Sequence, residues 1–164
     1  MYYLKEDIYR DLKYLNRKLA EEHYFLNLKV VGGSAFILND LQSIETTDID
    51  TAIRIETEIR EIIDDCGVDI NDDASEYDFD DLEFIFDNET FSNISIQYLT
   101  VGGVIKAKLM YEDEDKADAL RYTMEDELGI DMTVEGISQY LEDECDIFAS
   151  PDEIEYFLSM IGYI

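Results

Sequence analysis

"VVGGSAFILNDLQSIETTDIDTAI", residues 30–53, runs from an apolar segment into two glycines and a serine, crosses a short apolar block, and ends in two aspartates one residue apart. An extended β-branched run that stops at Gly32 and Gly33 reads as a strand entering a sharp corner. SAFILNDL, which follows, has the composition of a short buried helix. TTDIDTAIRI, residues 46–55, alternates and is rich in β-branched residues, which predicts a second strand.

Working outward, Leu4, Ile8, Leu12, Leu15 and Leu19 recur at helical spacing, predicting an amphipathic helix over residues 4–22. FLNLKVV is the strand that reaches the glycine corner, and ETEIREIIDDCG is a helix stopped at Gly67. DLEFIF and NISIQYLTV predict two further strands. From Gly103 onward the pattern is helical, over about 103–111, 115–128, 133–145 and 151–161. The last helix opens with Ser150 as N-cap, Pro151 at its first position and Glu153 completing a capping box. This order predicts an α+β fold, a small mixed β-sheet covered by helices with a helical C-terminal part. With one proline and no Gly/Ser-rich linker, residues 1–164 read as a single domain, its core at about 25–100 and its helical part at about 103–164.

Of 164 residues, 46% are hydrophobic, and 12 Tyr and 8 Phe supply core material, so the chain is expected to fold despite its charge. That charge is -29, from 41 Asp and Glu against 12 Lys and Arg. It repels nucleic acid and anionic lipid, so neither direct DNA binding nor membrane binding is expected. Residues 64–89 and 122–164 each hold twelve acids and no Lys or Arg. MYYLKED lacks the basic start and apolar core of a secretory signal, and no apolar run reaches the ~18 residues of a membrane span. Cys66 and Cys145 are isolated, suggesting no disulfide framework or zinc set. A cytoplasmic location is the expectation.

The chemistry resides in residues 30–53. A strand ending at Gly32, Gly33 and Ser34 before a helix offers backbone N–H groups and a hydroxyl to phosphate oxygens, with no Cβ obstructing approach at the glycines. Asp48 and Asp50, two positions apart on a strand, project from one face while Ile49 points the other way. Two adjacent carboxylates repel, and a bound Mg²⁺ relieves that repulsion. One element would hold the phosphates of a nucleoside triphosphate (NTP) and the other the metal bridging them, the pairing that phosphoryl-type transfer requires.

At these residues the chain resembles the nucleotidyltransferase superfamily, in particular its small bacterial members of the minimal nucleotidyltransferase, AbiEii-like and DUF6036-like kinds. The resemblance rests on Gly32-Gly33-Ser34, a short helix, and Thr46-Thr47-Asp48-Ile49-Asp50. It extends over residues 28–128, with Lys108-Leu109 and Lys116 with Asp118 in the helical segment. It implies Mg²⁺-dependent transfer of a nucleoside monophosphate from NTP to a protein or RNA acceptor, in a toxin-antitoxin or phage-defence setting. It implies Asp48 and Asp50 as catalytic metal ligands, and Gly32, Gly33, Ser34 and Lys108 as nucleotide contacts. The chain departs from the pattern at Ile44, where an Arg is frequent, and in the third carboxylate that a neighbouring strand usually supplies. NISIQYLTV offers only Ser95 and Gln97 at its centre, leaving Glu83 and Asp87 around DLEFIF as substitutes.

Other features have plainer readings. Asp69, Asn71, Asp73 and Asp80 fall at calcium-loop positions, but Ala74 replaces the glycine of the sharp turn and Glu76 replaces an apolar residue, which favours a solvated acidic loop. His23, the single histidine, follows the first helix as a solvated helix end. Lys106, Lys108 and Lys116 either meet nucleotide phosphates or offset nearby carboxylates. The acidic blocks permit an alternative function: a catalytically degenerate nucleic-acid mimic that binds a basic protein partner and inhibits it.

Overall fold

The computed structural model describes residues 3–43, 46–111 and 117–164. Helix α1 (Lys5–Glu22) starts where the Asp7 carboxylate accepts the Leu4 N–H at 2.9 Å, and ends at His23 in the left-handed conformation. Ile8, Leu12, Leu15 and Leu19 are buried as the spacing predicts, whereas Leu4 precedes the helix and is exposed. Strand β1 (Leu26–Val31) then feeds α2 (Gly32–Leu38) without a loop.

Strand β2 (Ile49–Thr51) is much shorter than the alternation over 46–55 predicts. The Thr51 hydroxyl explains its end: buried, it accepts from Lys29 N at 3.1 Å and Ile53 N at 3.3 Å, so the chain folds back on Thr51 instead of extending the ladder. Helix α3 (Thr57–Cys66) closes at Gly67 and leads to β3 (Ile70–Asn71), a strand the sequence reading omits. A single 3-10 turn, Asp73–Glu76, follows. Strands β4 (Phe84–Phe86) and β5 (Ile94–Leu99) form an antiparallel pair, and β5 passes directly into α4 (Val101–Met110). The C-terminal part holds α5 (Ala117–Tyr122), a π-helical turn (Thr123–Glu127), α6 (Val134–Cys145) and α7 (Pro151–Met160).

The five strands lie in the order β3-β2-β1-β5-β4. β1 runs parallel to β5 and antiparallel to β2, and β2 runs parallel to β3 through the α3 crossover. The mixed sheet with helices around it is the α+β architecture that the sequence predicts.

Register divides the two sheet faces by chemistry. Leu26, Leu28 and Val30 pair with Ile94, Ile96 and Tyr98, and Ile49 pairs with Ile70, giving an apolar face that shares one core with the stripes of α1 and α3. Paired residues point the same way, so Asp50, opposite Val31 on one side and Asn71 on the other, lies on the second, more polar face. Because β1 and β5 are parallel, α2 and α4 both begin at one end of the sheet, where they pack together. Ser150 caps α7 by accepting Glu153 N at 3.2 Å, but the Glu153 side chain turns to Lys106.

Side-chain bonds tie α1 to the β4–β5 hairpin. The Tyr9 hydroxyl donates to both carboxylate oxygens of Asp87, at 2.7 and 2.8 Å, and Asn16 accepts from Asn93 N at 2.7 Å. Burial, then the bond to Asp87, holds the Tyr9 phenol well above the ordinary tyrosine range. A group whose folded pKa is raised contributes stability that is complete below its unfolded value, about 10 for tyrosine, and lost as the pH climbs above it. Unfolding free energy should therefore decline above about pH 10. In urea titrations across that range, Tyr9→Phe should cost about 1 kcal/mol at neutral pH and flatten the alkaline decline.

Candidate active site

Gly32, Gly33 and Ser34 are bound to the segment Ser43 to Asp50 one residue at a time. Gly32 has φ +63°, and a Cβ on it would stand 2.9 Å from Asp50 Oδ2, so the carboxylate lies where any other residue's side chain would begin. A Cβ on Gly33 would meet Thr46 Oγ1 at 1.9 Å and Ser43 Oγ at 2.5 Å, two hydroxyls joined by a 2.6 Å hydrogen bond. Ser34 is fully buried; its hydroxyl donates to the Val31 carbonyl at 3.0 Å and accepts from Asp50 N at 3.1 Å. The bare Cα atoms and the hydroxyl thus set where Asp50 sits.

Asp50 opens onto a cleft of about 430 Å³. Its floor is the polar sheet face at Val31, Asp50 and Asn71, with Gly32 at the corner. One wall is α4, presenting Val104, Ala107 and Lys108 and, at its end, Tyr111. The segment after β3 supplies Asp73, Ala74, Tyr77 and Phe79. Asn71 stands directly beside Asp50 on the parallel neighbour strand, and its Oδ1 accepts Asp73 N at 2.7 Å.

Three of the residues singled out from sequence, Gly32, Asp50 and Lys108, therefore line one cleft. Asp48 lies one residue before β2, half-buried, separated along the chain from Asp50 by the fully buried Ile49. Ser34 departs from its expected role, because a hydroxyl with no exposed surface and two main-chain partners faces the sheet instead of a ligand. Gly33 packs under Thr46 in the same way.

Lys106 is committed elsewhere: its Nζ meets Glu153 at 2.8 Å, holding α7 against α4. Lys116 and Ile44 lie outside the described residues. Glu83 and Asp87 do not supply a third carboxylate at Asp50. They flank β4, the far edge strand, which β1 and β5 separate from β2, and at about 4.8 Å per strand that distance is too long for a shared ion. Ser95 and Gln97 lie on β5, also beyond β1. His23 is exposed at the end of α1.

The calcium-like positions are divided between β3, the 3-10 turn and later turns; Asp72 accepts from Ile55 N and pairs with Arg60. Among the described residues, no three His, Cys, Asp or Glu side chains are grouped so that they could hold a metal ion. The oxygen-bearing side chains on or next to this part of the sheet are Asp48 and Asp50 on the β2 segment, Asn71 on the neighbouring strand and Asp73 in the cleft lining.

Sequence reasoning missed β3 because the dense acids of DINDDASEYDFD obscured it. The signal was present in Val68 and Ile70, buried on either side of exposed Asp69 just after a helix-stopping glycine. A strand there places Asn71 beside Asp50 through an ordinary parallel crossover.

The lock at the corner is testable by stability. Gly33→Ala should destabilise the fold by about 1–3 kcal/mol through overpacking against Thr46. Ser34→Ala should cost a similar ~1–3 kcal/mol by leaving the Asp50 N–H without its acceptor. Urea unfolding measures both, and a Ser34→Ala protein as stable as wild type would contradict the assigned role.

No curated protein and no solved structure matched the chain. A family described as nucleotidyltransferase of unknown function (DUF6036) matches residues 8–135, from α1 through the first turn of α6, and includes every element of the cleft. The chain belongs to that nucleotidyltransferase family.

Proposed function

We propose that the protein transfers a nucleoside monophosphate from an NTP to a protein or RNA acceptor, with Mg²⁺ bound at Asp48 and Asp50. The observation that carries this reading is the cleft itself, where the Gly32 corner, Asp50 and Lys108 line one space of small-molecule size. In such a transfer an acceptor hydroxyl attacks the α-phosphorus, the bond from that phosphorus to its bridging oxygen breaks, and pyrophosphate leaves. The protein's task is positioning and charge neutralisation.

The donors suit a hard cation. Carboxylate and amide oxygens favour Mg²⁺, while both cysteines and the histidine lie outside the cleft lining. With only two first-rank carboxylates, a bound Mg²⁺ would retain several waters and complete its shell with phosphate oxygens, as that ion prefers. A triphosphate approaching Asp50 and Asp73 on a chain of net charge -29 is repelled unless it arrives with its metal, so nucleotide binding should depend strictly on Mg²⁺. Lys108 would meet the phosphates as a point charge, and Asp73, which lines the same cleft, would accept the acceptor's proton. The toxin-antitoxin or phage-defence setting is part of this proposal and rests on resemblance.

One observation favours a second reading. Asn71, a neutral amide, occupies the strand position beside Asp50, which is compatible with a chain that keeps the fold and uses its acidic surface to bind a basic protein.

Calorimetric melting separates the two. Mg²⁺ with an NTP at one hundred times its dissociation constant should stabilise wild type by about 2.7 kcal/mol. Asp48→Asn and Asp50→Asn should each abolish the metal-dependent shift, and Lys108→Ala should weaken it with little loss of fold stability. With labelled NTP, wild type but neither Asn variant should leave a monophosphate on an acceptor. No Mg²⁺-dependent stabilisation by any of the four NTPs would refute the enzymatic reading and leave the acidic binding protein.

A further inference from the structure

The cleft lining combines two chemistries, and the proposed transfer uses only one of them. Beside the polar group at Asp50, Asn71 and Lys108 stand three aromatic rings, Tyr77, Phe79 and Tyr111. Tyr77 and Tyr111 have ring centroids 4.5 Å apart at an interplanar angle of 33°, and Phe79 meets Tyr111 edge-on at 5.7 Å. Phe79 is buried in the core, but Tyr77 is 50% exposed. A ring of that size left half in water, at the mouth of a cleft, leaves apolar surface that core packing does not use.

The cluster is held in advance of any ligand. The Tyr111 hydroxyl accepts from Asp78 N at 3.1 Å and donates to the Asp78 carbonyl, so the residue between Tyr77 and Phe79 is tied to the end of α4. Tyr77 is thereby backed by Tyr111 while half of its own surface stays exposed. Tyr111 lies one helical turn beyond Lys108, which puts the rings and the cation on the same helix face. The α4 positions that complete this wall are Val104 and Ala107, which carry no side-chain group able to read a base edge.

We propose that Tyr77, backed by Tyr111, is the platform on which the nucleobase of the bound NTP stacks. Recognition there is by ring overlap, so the site accepts all four bases with little discrimination, because every base presents a π-face. This assignment rests on the nucleotide reading of the cleft, and the test separates the two.

Isothermal titration with Mg²⁺-tripolyphosphate reports the phosphate and metal contacts alone, and titration with each of the four Mg²⁺-NTPs adds the base. Wild type should bind every NTP about tenfold or more tightly than tripolyphosphate, with the four NTPs within a few-fold of one another. Tyr77→Ala should bring NTP affinity down to that of tripolyphosphate and leave tripolyphosphate itself unchanged, while Tyr77→Phe should behave as wild type. Far-ultraviolet circular dichroism checks that the exposed-site variant is folded. If wild type binds tripolyphosphate and NTP equally, or if Tyr77→Ala retains the difference, the platform is wrong and the nucleotide reading stands. If wild type binds neither, the nucleotide reading fails and the platform with it.

Discussion

A buried hydroxyl holds the site together. Ser34 is the third residue after β1, in the first turn of α2, and its oxygen serves two main-chain groups at once, donating to Val31 and accepting from Asp50. Without it, the Asp50 N–H would lose its acceptor, and the junction of β1, α2 and β2 would lose the side-chain bond that joins α2 to β2. Everything the cleft needs from that corner follows: the Asp50 carboxylate against Gly32, the Thr46 loop over Gly33, and the sheet face on which Asn71 falls beside Asp50.

Much of this was legible in the chain because the responsible patterns are local. Glycine pairs, alternating β-branched residues and helical stripes report on neighbours a few positions apart, and these gave α1, β1, α2, α3, β5 and the C-terminal helices within a few residues. The conjunction of Gly32-Gly33-Ser34 with Asp48 and Asp50 marks two segments that the structure brings together. What it could not reveal was which residues touch a ligand and which touch each other. The motif predicts Ser34 and Gly33 against phosphate, and the structure turns both inward against the aspartate segment. A motif constrains both kinds of contact equally, and only packing distinguishes them.

The remaining gaps have a different origin. β3 is two residues long and embedded in acids, so its strand propensity is low and its existence depends on pairing with β2 across the α3 crossover. The choice of Glu83 and Asp87 failed because strand order is not written in strand sequence: β4 reads like any strand, and only β5 pairing between it and β1 places it at the far edge. The role of Lys106 was likewise undecidable until Glu153 arrived from α7, far along the chain. The aromatic cluster in the cleft also comes from distant segments, joined by the Tyr111 bond to Asp78.

The short span of the corner has a consequence for chain entropy. The Ser34 contact to Asp50 joins residues 16 apart, and those of Gly32 and Gly33 are of similar range, so this half of the cleft closes one short loop. Lys108 and Tyr111 join across a far longer loop, although each doubling of loop length adds only about 0.6 kcal/mol to closure. The corner can therefore order on its own segment, ahead of α4, and the opposing wall is the part whose placement depends on the rest of the chain having folded. Its two faces differ accordingly in kind: one is set by a hairpin-scale contact, the other by the global topology.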